Sequence, residues 1–300
     1  MANIKACFKS RWGSDGVIME ADFSQLEVIG AAEISGDVNM HKDILDGIDS
    51  HSQSASWLNK QYTYEEIREG YLSGDKMFEK MRKNAKAPRF QLLYGAGAGS
   101  IAISNKIEID EAKAFVDSFY ERYSGLKSFQ DSVADDVEQG KWTIDKREVK
   151  TKDGVRKQVK VFGGEWASCT GRRYYFEESE APAFLQKRGV FFSFSPTKFK
   201  NYPSQGFATG DIVPEMLGRV VRALFKYNLY DKCLPINTIH DSIIFDVHKD
   251  NLPTSARVVQ KVMQAAPLAM EKRFGLKLSL PFNVDVEVGD SWDEMKGYAV

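Results

Sequence analysis

Three hundred residues, 43% hydrophobic and 28% charged, are enough for a sizeable core in one large domain or two moderate ones. The net charge of −1 argues weakly against a nucleic-acid partner, although the distribution of charge matters more than its sum. No apolar run approaches the length of a bilayer span, residues 1–5 have no secretory core, and Cys7, Cys169 and Cys233 are odd in number and far apart, which points to reduced thiols, a cytoplasmic setting and no membrane partner. Residues 17–22 read as a short apolar strand ending in a carboxylate, and residues 23–47 as helical. Residues 65–106 alternate helical patterns with Gly punctuation, and residues 109–139 continue as helix capped by Asp110. Gly, β-branched and aromatic residues across 140–195 predict hairpins and loops. Residues 205–230 are helical with interruptions at Gly210 and Pro214. A hairpin follows, with strands at 236–239 and 243–247 and His240-Asp241 at its turn. Residues 254–274 are helical with a break at Pro267. Val284, Val286 and Val288 alternate with Asp285 and Glu287, as in a half-buried strand. Strands at both ends of the chain and helices between them predict one α+β fold, an antiparallel sheet built from distant segments with a mostly helical insertion.

Two carboxylates stand out by their settings. Asp22 closes an apolar strand, and Asp241 lies in the turn of an apolar hairpin. A lone carboxylate at a strand end is ordinarily a turn residue or a helix cap. If the two strands are neighbours, both carboxylates project from one sheet edge, repel each other and call for a cation. Mg²⁺ suits such a pair, because it binds through one or two carboxylates plus substrate phosphates.

Cations are unevenly spread. Residues 141–160 hold eight basic and three acidic residues, a stretch that reads as a solvated face. Residues 82–95 have helical order: Arg82, Lys86, Phe90 and Tyr94 are spaced by four and share a face carrying two cations and then two rings. Such a face can bind a triphosphate and pack a sugar or base, or it can be an amphipathic helix with snorkelling cations. Pro88 in its middle predicts a bend or an altered helix start.

Taken in order, these segments resemble the family A DNA polymerases. Asp22-Phe23-Ser24-Gln25-Leu26-Glu27 resembles motif A, residues 82–95 motif B, and Ile239-His240-Asp241-Ser242 motif C. Asp49-Ser50-His51 is similar to the fingers element that meets the incoming phosphates. Asn201-Tyr202-Pro203-Ser204-Gln205-Gly206 is similar to the segment that touches the templated pair, and residues 284–292 to the family's ending. The resemblance implies a right-hand polymerase without its thumb, with a palm at residues 1–45 and 200–300 and fingers at 46–199. It implies template-directed transfer of dNMP to a primer 3′-hydroxyl with two Mg²⁺ ions, held by Asp22, Asp241 and the Phe23 carbonyl. Arg82, Lys86 and His51 would bind the dNTP phosphates, with Lys86 also protonating the pyrophosphate. Glu27 would crowd the sugar 2′ position, Phe90 would lie on the sugar, and Tyr94 would stack near the template base. Asn201 and Gln205 would reach the minor groove of primer-template DNA, and His240, Arg172 and Arg173 would also contact DNA; for the two arginines an exposed turn is the competing reading.

Some residues depart from the family pattern. Ser242 stands where motif C usually has Glu, and Ile29 where motif A usually ends in Arg; Pro88, Arg89 and Gln91 also differ from the usual mid-helix residues. Only about twenty residues precede Asp22. The resulting expectation is a split polymerase of a bacterial virus, with a separate chain supplying thumb and exonuclease. A single-subunit RNA polymerase is the nearest enzymatic competitor, with Glu27 as the discriminator. A non-catalytic DNA-binding remnant is the competitor of another class.

Overall fold

The computed structural model describes residues 4–151 and 154–300. The first three residues, part of the stretch read for a secretory leader, and Lys152 and Asp153 of the basic stretch lie outside the described residues. The fold is α+β. The chain forms two compact units, Met1–Glu33 with Gln205–Val300, and Ile34–Ser204. The expected division lay at 45/46 and 199/200; the compact units divide at 33/34 and 204/205.

The first unit is built on a five-stranded antiparallel sheet. Its spatial order is Lys296–Gly297, Val284–Gly289, Gly16–Phe23, Ser242–His248, Cys233–Ile239. The strand Gly16–Phe23 is central because its apolar run can be covered on both sides. Val17, Met19, Ala21 and Phe23 are buried on one face, together with Ile243, Phe245, Val247, Val284 and Val286 from the neighbouring strands. The helix Leu252–Gln264 packs against the sheet, burying Ala256, Val259 and Met263. Gln260 donates from Nε2 to the Val284 carbonyl at 2.9 Å.

The opposite face is mixed. Register puts Ile18, Glu20 and Asp22 there beside Asp246, Ile244 and Ser242 on one flank and Gly289, Glu287 and Asp285 on the other. Ile18, Ile244 and Trp292 make a small buried cluster, and Trp292 Nε1 donates to Glu20 at 2.9 Å.

The second unit is mostly helical. Ser50–Leu58, Tyr64–Leu72 and Lys76–Leu93 meet around Ala55, Ile67 and Ala85. Asp37 caps two helices at once, accepting from the Met40 and Leu126 N–H groups at 2.9 Å each. A three-stranded antiparallel sheet, Trp142–Lys150, Arg156–Ala167 and Arg173–Glu177, packs on the helix Ser124–Gln139 through Val133, Val137 and Phe176. Gly164 permits that approach, since a Cβ there would lie 2.5 Å from Val137 Cγ1.

Several local expectations need correction. The helix expected over 23–47 is two, Leu26–Ser35 and Val38–Leu45, because Gly36 turns left-handed and Asp37 starts a new N-terminus. Residues 109–139 also form two helices, and Asp110 is no cap; it lies inside the first turn, after Glu108. Pro88 does not mark an altered helix start; it lies buried inside the single helix Lys76–Leu93. The interruption expected at Gly210 and Pro214 takes the form of a π-helix, Gly206–Ile212, with Pro214 near the start of the α-helix Val213–Lys226 that follows it.

Candidate active site

In the first unit, Asp22 sits one residue from the end of its strand. Its Cα is paired with Ser242 on one side and Asp285 on the other. Asp241 precedes Ser242 in the hairpin turn, and its carbonyl accepts the Phe23 N–H at 3.3 Å. Two residues 219 positions apart in sequence are thereby neighbours, and their carboxyl groups interact. Burial, followed by repulsion from Asp241, Glu20 and Asp285, pushes the Asp22 carboxyl up to about 7. Burial also raises Asp241, with Glu27 adding to the effect. Without a cation the pair therefore holds a proton near neutrality.

The backbone around this pair is unusual. Gln25 and His240 both adopt left-handed conformations, with φ of 58° and 52°, which side chains other than Gly seldom take. Gln25 starts the helix that carries the half-buried Glu27, and the exposed His240 makes the turn that presents Asp241. The Phe23 side chain is buried on the opposite face, in an edge contact with Phe282 at 6.3 Å. It anchors the strand end at which its own carbonyl follows Asp22.

In the second unit, the helix Lys76–Leu93 displays Arg82, Lys86 and Phe90 along one side, grading from an exposed Lys86 to a half-buried Phe90. Tyr94 lies just beyond the last helical residue, its ring stacked on Phe90 at 6.3 Å and 28°. The stop after it is a Schellman turn. Gly95 has a φ of 83° and donates to Leu92, and Ala96 donates to Gln91. Ala85, Arg89 and Leu92 fill the inner side, and the buried Arg89 donates to Ser54 at 3.2 Å.

His51 stands in the first turn of Ser50–Leu58, 5.9 Å from the Phe90 ring. Burial, and then the positive field of Arg82, lower its pKa. Its Nδ1 is buried without a hydrogen-bond partner. Arg82 forms a two-pronged ion pair with Asp49, Nε at 2.7 Å and Nη2 at 3.0 Å, and lies over the Tyr71 ring at 4.3 Å. Burial alone would raise Asp49, but its bonds from Arg82 and Ser52 outweigh that and hold it well below the usual carboxylate range.

The remaining expected residues are spread out. Asn201 lies on Pro196–Gln205 with its Oδ1 buried and unpartnered, and Gln205 ends that helix. Arg173 is exposed and ion-paired with Glu165 at 3.2 Å, while the Arg172 carbonyl accepts from Ser168. Structure thus gathers Asp22, Asp241 and Glu27 in one unit and His51, Arg82 and Phe90 in the other, and puts Arg173 on the three-stranded sheet with Arg172 just before that strand. Asp49, Asp285 and Glu20 were missed as neighbours of these residues. The period-2 alternation of residues 284–288 carried the signal for Asp285, but no sequence pattern gives its register against Asp22. Among the described residues no group of three or more His, Cys, Asp or Glu side chains has the arrangement of a metal site.

Comparison with known proteins agrees with this architecture. The profile of DNA polymerase family A matches residues 1–294, and the chain belongs to that family. DNA polymerase I of Streptococcus pneumoniae R6 is 26% identical over 98% of this chain and 28% of its own length. The Bacillus subtilis enzyme of the same name is 26% identical over 94% of this chain and 26% of its own, and that of Rhizobium leguminosarum 25% identical over 92% and 23%. The chain therefore spans about a quarter of the length of these curated relatives. A solved structure, the POL domain of Pol1 from M. smegmatis in complex with DNA primer-template and dNTP, shares the fold with a TM-score of 0.64 at 22% identity. The match covers 97% of this chain and 42% of that one.

Proposed function

We propose that this chain is the catalytic portion of a template-directed DNA polymerase, its first unit acting as palm and its second as fingers. The observation that carries the reading is the convergence of Asp22 and Asp241 at one sheet edge, where burial disfavours ionisation of both and Asp241 adds to the effect on Asp22. Two carboxylates that hold a proton in the absence of a cation are an oxygen-donor pair suited to Mg²⁺, which needs only one or two such ligands beside substrate phosphates. Asp22, Asp241 and the Phe23 carbonyl would hold two ions. When bound, the ions acidify the primer 3′-hydroxyl and neutralise the leaving pyrophosphate.

The chain's own residues do the rest. The primer oxygen bonds to the α-phosphorus as the α–β bridge bond breaks, and the Lys86 ammonium gives its proton to the departing pyrophosphate. Lys86, Arg82 and His51 bind the triphosphate. Burial and the field of Arg82 favour the neutral form of His51, a hydrogen-bonding group suited to a phosphate oxygen. Glu27 crowds the sugar 2′ position, Phe90 supports the sugar, and Tyr94 lies against the template base. Asn201 and Gln205 read minor-groove acceptors common to correct pairs, and His240, Arg172 and Arg173 contact the DNA backbone. Primer-template DNA and dNTPs are the partners we propose, in the cytoplasm of the cell where replication occurs.

The test is primer extension with Mg²⁺ by the full chain and by Asp241→Ala. Extension with dNTPs that falls at least a thousandfold in the variant is expected, on the scale of losing transition-state electrostatics. Activity unchanged by the substitution overturns the metal assignment, and preference for NTPs overturns the choice of deoxynucleotide.

A further inference from the structure

Trp142–Lys150 pairs with Arg156–Ala167 to form a β-ribbon whose outer half has no core of its own. From Lys146 to Lys150 and from Arg156 to Lys160 no residue is buried; only Val149 and Val159 are partly covered. The turn is closed by the Thr151 N–H donating to the Val155 carbonyl at 2.9 Å. Register puts Lys146 directly opposite Lys160, and Lys150 directly opposite Arg156, so all four cations share one face. Like charges directly opposite one another destabilise a strand pair. Glu148, between them on the same face, is paired with Arg156 at 3.0 Å. Lys146, Lys150 and Lys160 make no ion pair among the described residues. The other face differs, with Arg147 held by Asp145 at 3.0 Å and Lys157 over the Phe191 ring at 4.9 Å.

A segment that buries nothing and sets cations against cations is not explained by folding stability. We propose that this ribbon face is a docking surface for the sugar–phosphate backbone of duplex nucleic acid. The two cation pairs stand four residues apart along the strands, about 13 Å, so one face presents two cationic rungs to an extended polyanion. A two-stranded ribbon is also narrow enough to enter a major groove. Lysine tips on a solvated ribbon carry no base-specific geometry, so the contact is sequence-independent and electrostatic. The inference rests on the polymerase reading only in taking the duplex to be DNA; it adds a binding surface that the catalytic residues do not use.

The test is the salt dependence of duplex binding by the full chain, measured by fluorescence anisotropy in EDTA without nucleotide. One variant replaces Lys146, Lys150, Arg156 and Lys160 with Gln. A control replaces the exposed Lys226, Lys261, Lys272 and Lys277 with Gln, giving the same change in net charge. Four phosphate contacts predict that the slope of log K against log salt becomes shallower by about 3 to 4 in the ribbon variant and stays at the wild-type value in the control. A ribbon variant with the wild-type slope, or a control that loses as much, overturns the proposal, and the first result leaves an acidic protein as the partner to seek. Primer extension with Mg²⁺ separates the two readings. Wild-type extension with an unchanged ribbon slope sinks the ribbon alone, and a reduced slope without wild-type extension sinks the polymerase reading alone.

Discussion

Removing the negative charge at position 22 will stabilise the metal-free protein while abolishing its proposed activity. The Asp22 carboxyl is pushed from its ordinary 3.8 up to about 7, first by burial and then by Asp241, Glu20 and Asp285. Each pKa unit corresponds to about 1.4 kcal/mol, so ionising Asp22 costs the fold on the order of 4 kcal/mol as an upper bound. Solvent screening at this half-buried edge reduces the expected gain on Asp22→Asn to roughly 1–3 kcal/mol. The sign follows from proton counting. Between about pH 4 and pH 7 the folded protein keeps a proton that the unfolded chain has released, so stability falls as pH rises through that window. The Asn variant lacks this dependence, and its advantage grows from near pH 4 to near pH 7 and is level above it. Hydrogen exchange of the strand Ser242–His248 under increasing urea, in EDTA, reads the local stability. Mg²⁺ should then reverse the order by stabilising the wild type and not the variant. If Asp22→Asn is no more stable than the wild type near pH 8, or its advantage is independent of pH, the two carboxylates do not share an edge as described.

Other substitutions probe the rest of the site. Asp49→Asn keeps a good N-cap on Ser50–Leu58 but removes the partner of Arg82; a loss of about 2 kcal/mol and a raised KM for dNTP with little change in kcat are expected from denaturation and steady-state kinetics. Because Asp49 is held below the usual carboxylate range, its contribution is present at neutral pH and is lost only as pH falls beneath that range, which acid unfolding of wild type against variant will show. Glu27→Ala should raise ribonucleotide incorporation relative to deoxynucleotide by at least tenfold, and an unchanged ratio would remove Glu27 from sugar selection. Gly95→Ala puts a Cβ 2.7 Å from Lys200 Cβ at a φ of 83°; a loss of roughly 1–3 kcal/mol in thermal unfolding is expected, together with weaker nucleotide binding through a displaced Tyr94.

Local patterns along the chain were enough to mark its strands and helices and most of the candidate site residues. Alternation at residues 284–288, the apolar run before Asp22 and the paired runs around His240-Asp241 each declare a strand, because side-chain period and turn residues act over a few positions. The four-residue spacing of Arg82, Lys86, Phe90 and Tyr94 was legible for the same reason. What local patterns left open depends on contacts between distant segments. Gly36 and Asp37 split a helix that periodicity alone ran together, since an N-cap competes with continuation only once Leu126 and Gly125 pack against it. Asp285 became a neighbour of Asp22 through strand register, Asp49 became the partner of Arg82 across 33 positions, and the cations at 146 and 160 came face to face when a hairpin closed. Tertiary structure alone decided these pairings. Register and partner choice are set by the burial of one whole face against another, and no local pattern encodes them.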